Sequence, residues 1–189
     1  LPLWSPDLFM GVPLLANSQI GTFYPPNWLV ASLAPPDGVR ISILLHAAWA
    51  SLGTYLLARR TLGVSPLAAL VAGCLFAFSG HLGAHVEQIN QLQGLAWLPW
   101  LLFLLDRALT RRLPNALLLG IGLALQFFSG HTQTVFISGV ALALYALCSR
   151  PLRGVLTLAG AGLLPVLLAA PQLIPTLELT QLSNRSGGL

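Results

Sequence analysis

The chain contains no lysine, and charged residues of either sign fill only 7% of its 189 positions. That excludes an ordinary solvated globular surface, since soluble domains carry about a quarter charged residues. The formal charge of +4 rests on arginine alone, and seven of the nine sit in three short clusters between apolar runs: Arg59 and Arg60; Arg107, Arg111 and Arg112; Arg150 and Arg153. Such spacing is topological and excludes a nucleic-acid patch. Cysteine is nearly absent too. Cys74 and Cys148 lie in different apolar runs without metal or disulfide spacing, so they read as small buried side chains. No secretory-leader layout opens the chain. With Leu1 in place of Met at the start and the polar run Ser183 to Leu189 at the end, it reads as an internal piece of a longer protein.

Apolar residues, in contrast, make up 56% of the chain, and mean hydropathy is +0.79. Apolar runs recur at the length of about 18 residues needed to cross a hydrocarbon core. The expected fold is therefore an all-α membrane protein. It is a polytopic helical bundle of about six spanning helices, with a long outer N-terminal loop carrying short interfacial helices. The spans are expected near 41–58, 65–86, 90–106, 113–129, 132–148 and 154–171. Residues 1–40 form the loop, where six prolines from Pro6 to Pro36 forbid a long helix. Trp28 to Leu33 is too short to span and lies in the interface, with Trp28 and Trp4 at headgroup level. Residues 41–171 are the transmembrane bundle, and 172–189 begin an extracytoplasmic segment. The third span is the least regular, with Pro99 inside it and Gln88, Gln91 and Gln93 at its start.

Alternate connections carry the arginines, so by the positive-inside tendency those connections face the cytoplasm. Asp7, Asp37, Glu87 and Glu178 then lie outside, and only Asp106 lies inside. His46, His81, His85 and His131 fall at the outer ends of their helices, and Asn17 and Gln19 lie in the outer loop. Polarity in mid-helix is sparse, with Gln126 the main example. Phe78-Ser79-Gly80-His81 and Phe128-Ser129-Gly130-His131 echo each other, which predicts two helix ends presenting the same side chain to one cavity.

Each constellation has a sharper and a plainer reading. On a continuous helix His81 and His85 share a face, a spacing that metal sites use; the commoner case is a hydrated helix end. His46 and His131 facing across a bundle would suit a haem, but nothing beyond the histidine count marks one. Glu87 and Asp7 are the carboxylates placed to deprotonate an acceptor hydroxyl, against the plain reading of solvated loop acids. Arg40 and Arg185 run against the topological trend, which favours an anionic partner such as a lipid phosphate; pairing with Asp37 or Glu178 is the alternative. Trp97-Leu98-Pro99-Trp100 reads as an interface anchor and a kink.

Several motifs carry a resemblance. Pro2-Leu3-Trp4-Ser5-Pro6, the run from Phe9 through Gly11, Pro13, Leu14, Ala16 and Asn17 to Gln19, and Phe23-Tyr24-Pro25 resemble the first outer loop of the bacterial YfhO-like membrane proteins, within the GT-C class of polytopic glycosyltransferases. His46, the stretch Asn90 to Trp100, Ser129-Gly130-His131 with Gln133, and Ala170-Pro171-Gln172-Leu173 with Pro175 resemble the same family in the same order. The resemblance implies sugar transfer from a polyprenyl-phosphate-linked donor to a cell-envelope acceptor, on the outer face of the bacterial cytoplasmic membrane. The family's catalytic acid usually precedes the Trp-Ser-Pro motif, which puts it upstream of Leu1. Within the chain, Asp7 and Glu87 are the expected base or contacts for a divalent metal. His81, His131 and Arg185, with Asn17 and Gln19 from the loop, are the expected phosphate-binding groups. Membrane lipids are expected partners and nucleic acid is not. A transporter or lipid flippase, and a non-catalytic envelope assembly protein, are the competing readings.

Overall fold

The computed structural model describes residues 4–6, 11–110 and 113–182. Those residues form an all-helical structure, and their only β contact is the isolated bridge between Ser5 and Val12. After a 3-10 turn at Ser18–Ile20 come α1 (Pro25–Val30), α2 (Pro35–Arg60), α3 (Pro66–Ala77), α4 (Gly80–Ala84), α5 (Ile89–Thr110), α6 (Leu113–Phe128), α7 (Thr132–Ser149) and α8 (Pro151–Leu182).

Prolines start these helices more often than they prevent them. Pro35 and Pro36 occupy the first turn of α2, with Asp37 beside them and Arg59 and Arg60 in the last turn. The missing proline N–H costs nothing in a first turn, and both charge placements suit the helix dipole. The loop expected to run to residue 40 therefore ends before Pro35. The span expected over 65–86 is divided. Phe78 and Ser79 leave the helix, and the Ser79 hydroxyl caps α4 by accepting the Leu82 N–H at 3.3 Å. At the other end of the chain α8 continues through Pro165, Pro171 and Pro175 for 32 residues, well past the expected limit at 171.

Four stretches among the described residues are long and apolar enough to cross a membrane: Pro35–Arg60, Pro66–Ala84, Thr132–Ser149 and Pro151–Gln181. α6, with 16 residues, reaches about 24 Å and is shorter than a hydrocarbon core. α5 carries Gln91, Gln93, Asp106 and Arg107 along its length. Large apolar side chains such as Leu75, Phe78, Phe136 and Leu167 point outward, as lipid contact requires. Cys74 and Cys148 are exposed as well, which corrects their expected burial.

α2 and α5 run parallel, with α3 and α4 as the return. Gln93 meets Ser42, Trp100 meets Trp49, and Asp106 meets Thr61. The core lies where Leu101, Leu105 and Leu109 of α5 pack on Leu119 of α6, Leu142 and Ala146 of α7, and Ala161 of α8. Small residues let backbones touch. A Cβ on Gly120 would stand 2.8 Å from the Ala161 carbonyl, and one on Gly154 would stand 2.7 Å from that of Ala146. The Gly- and Ala-rich α6 and α8 thus pack in close contact.

Candidate functional site

Tyr24 is the pivot of the loop. Gly21 adopts φ +64, a left-handed conformation that glycine accepts freely, and its carbonyl accepts the Tyr24 N–H at 3.1 Å. Pro25 and Pro26 then open α1. The resulting turn drives the Tyr24 side chain, fully buried, against α2.

There it joins a chain of hydrogen bonds. The His46 ring places Nδ1 2.7 Å from the Ser42 carbonyl, which can only accept, so Nδ1 carries the proton. Nε2 is therefore the acceptor, and the Tyr24 hydroxyl donates to it at 2.8 Å. The same hydroxyl accepts the Trp97 indole N–H at 2.9 Å. Burial pushes the Tyr24 phenol far above its ordinary range, opposed only in part by the Trp97 bond, so the hydroxyl remains a neutral donor. Gln93, buried, extends the network by donating to Asn27 Oδ1 at 2.7 Å and to Ser42 Oγ at 3.1 Å. Asn27 in turn donates to the Gly21 carbonyl at 3.2 Å.

Tyr24, His46 and Trp97 form one wall of a cleft of about 540 Å³ whose remaining lining includes Pro26, Trp28, Leu45, Trp49 and Leu125. Trp49 stacks on Trp100 at 4.2 Å and meets Trp97 edge-on at 5.4 Å. Its indole Nε1 is buried and has no hydrogen-bond partner, a costly condition for a donor. Next to the cleft, Gln126 donates to the Gly94 carbonyl at 2.9 Å and to Ser138 Oγ at 2.8 Å, while its Oε1 is buried without a partner.

Three expectations change here. His46 lies 11 residues inside α2, about 16 Å from its start, and not at a helix end. Buried polarity within helices is plentiful, comprising Ser42, His46, Gln93, Gln126, Ser138 and Gln172. Of the Trp97 to Trp100 stretch, expected to be purely structural, Trp97 lines the cleft and Trp100 stacks on Trp49. Tyr24, Ser42 and Gln93 were absent from the sequence-based site. Their signal was polar residues four apart within apolar runs, Ser42 with His46 and Gln93 with Trp97.

The expected site residues are mostly elsewhere. Asp7 and Arg185 lie outside the described residues. Glu87 is exposed in the turn between α4 and α5. Asn17 and Gln19 are exposed, with Asn17 Oδ1 accepting the Gln19 N–H at 3.0 Å. His81 is exposed beside His85, with ring centroids 4.5 Å apart. The two echoed motifs differ in form, since Gly80 begins α4 whereas Gly130 turns the chain at φ +90. Arg40 takes its plainer reading and pairs with Asp37 at 3.5 Å, both exposed. Among the described residues no group of three or more His, Cys, Asp or Glu side chains is placed to hold a metal ion.

His131 caps α7. Its Nδ1 accepts the Thr134 N–H at 3.2 Å and lies 2.7 Å from the Thr134 hydroxyl, which requires a neutral ring. Burial, and secondarily the charge of His85, lowers its pKa below the ordinary 6.5. The unfolded chain then binds the proton more readily, so this contribution to stability is complete above about pH 6.5 and is lost as pH falls through the lower folded value. The thermal midpoint of the detergent-solubilised protein is expected to drop over that window. His131→Asn, a cap that does not titrate, should flatten the drop, and an unchanged slope would refute the assignment.

No protein-family model, no curated protein and no solved structure matches this chain.

Proposed function

We propose that the chain, with about six spans, is part of a GT-C type membrane glycosyltransferase. It moves a sugar from a polyprenyl-phosphate-linked donor to a cell-envelope acceptor on the outer face of the bacterial cytoplasmic membrane. The observation that carries this reading is the apolar, aromatic cleft beside α1, with the unpartnered Trp49 Nε1 buried behind its lining. An isoprenoid chain is apolar along its length and polar only at its phosphate end, which suits an apolar groove backed by one buried N–H. In transfer, the acceptor hydroxyl gives its proton to a carboxylate, and its oxygen bonds the anomeric carbon. The bond from that carbon to the phosphate oxygen breaks, and the phosphate keeps the electron pair. Glu87 and Asp7 are the proposed bases. His81, His131, Arg185, Asn17 and Gln19 are the proposed phosphate contacts, with Trp49 added to them.

Transfer of labelled sugar from a polyprenyl-phosphate donor by the full-length protein tests this. Leu45→Trp, which fills the cleft, is expected to raise KM for the donor by about tenfold, and Glu87→Gln is expected to lower kcat. Normal kinetics in both variants would remove the site. A second reading, a lipid flippase or transporter, draws on the buried polar residues of α2, α5, α6 and α7. Passage of the lipid across vesicles without any glycosylated product would select it.

A further inference from the structure

A second cleft lies at the opposite end of the α2 and α5 pair. It encloses about 410 Å³ and is lined by Tyr55, Leu56, Arg59, Arg60 and Arg107, a size typical of small-ligand sites, which run on the order of 300–1,000 Å³. Three arginines line it, and among the described residues none has a carboxylate partner; Arg59 donates to the Val64 carbonyl at 3.2 Å. The one ion pair among the described residues is Arg40 with Asp37. Asp106, the nearest acid in sequence, has both oxygens engaged, Oδ2 by the Thr61 hydroxyl at 3.0 Å and Oδ1 by the Tyr145 hydroxyl at 2.9 Å.

Arg107 is held in place before any ligand arrives. Its guanidinium lies 5.3 Å from the Phe103 ring centroid, and one terminal nitrogen donates to the Arg60 carbonyl at 3.4 Å. Its Nε is buried with no partner. Like charges gathered around a pocket repel, and a stranded N–H adds to that cost. An anion with several acceptor oxygens offsets the repulsion. Planar guanidinium forks match the tetrahedral oxygens of phosphate.

We propose that this cleft binds a phosphoryl group, presented by an anionic lipid headgroup or by a soluble phosphate. The site is independent of the aromatic cleft and would stand if the glycosyltransferase reading failed.

The test uses the purified full chain in neutral detergent. Retention of phosphatidylglycerol against phosphatidylcholine is read by native mass spectrometry, and inorganic phosphate is titrated against the thermal midpoint. Preferential retention of phosphatidylglycerol without a phosphate response assigns the lipid source. A saturable phosphate response without lipid preference assigns the soluble one. Arg107→Gln should weaken whichever response occurs by about tenfold, the scale of one charged hydrogen bond. Arg153→Gln, on α8 and outside the cleft lining, should change it by less than about twofold. If Arg107→Gln fails to fold, Arg59→Gln, at an exposed side chain, is read in its place. Equal losses in the cleft variant and Arg153→Gln would overturn the site in favour of a general basic surface. Absence of both responses in the unmodified protein would also overturn it.

Discussion

Tyr24→Phe is expected to produce the largest loss of stability of any single-atom change in the loop. The hydroxyl is the only atom joining Trp97 Nε1 to His46 Nε2, at 2.9 and 2.8 Å. Its removal strands a donor and an acceptor together, at a position where the phenol ring itself is fully buried. Each stranded group costs about 1–3 kcal/mol, so the thermal midpoint should fall by more than Trp97→Phe lowers it, because that variant keeps the Tyr24–His46 bond. The ordering of the two midpoints is the measurement. If the two variants melt together, the hydroxyl does not hold the pair in the way described. Under the proposed function the same substitution should also reduce sugar transfer, since the wall of the cleft is no longer fixed.

Gln93→Leu should act on the loop without unfolding the bundle. Leucine approximates the volume of glutamine but drops both hydrogen bonds that tie α5 to Asn27 and Ser42. The bundle keeps its leucine core, whereas α1, whose Trp28 is 60% exposed and Leu29 74% exposed, loses an anchor. Loss of one buried hydrogen bond raises the open population by about tenfold. Cleavage by a chymotrypsin-like protease near Trp28 should accelerate by that factor while the midpoint of the bundle moves little. Equal acceleration at sites within α5 or α7 would show global destabilisation and refute a local role.

How far residues announce such a site depends on the range of the interaction. The spans of α2, of α3 with α4, of α7 and of α8 were legible because lipid contact imposes apolarity residue by residue, whereas α5, with its amide and charged side chains, and the 16-residue α6 fall short of that pattern. Helix starts at Pro35 and Pro151 were partly hidden, because proline reads as a breaker until it is known to occupy a first turn. Ser79 was harder still, since a serine inside an apolar run marks a cap only if the backbone leaves the helix there. The site was the least legible. Tyr24 and Trp97 are 73 residues apart, and Gln93 and Asn27 are 66 apart, so no local pattern pairs them. Conspicuous charges drew attention to Glu87 and the surface histidines, whereas the buried network is built from neutral groups.

One crossing in the bundle carries a consequence of its own. Pro165 lies inside α8 and has no N–H to give, so the carbonyl four residues earlier, that of Ala161, has no helical donor. That oxygen is the atom facing Gly120 of α6, at 2.8 Å from where a side chain would begin. The imino acid on one helix and the missing side chain on the other therefore form a single joint. A side chain at position 120 would press on this oxygen, so the two helices can approach here only because Gly120 carries none. The spacing of these two helices is set where the Ala161 oxygen and the Leu164 side chain together close on Gly120, like a pin in a hinge, and any substituent at position 120 would force them apart.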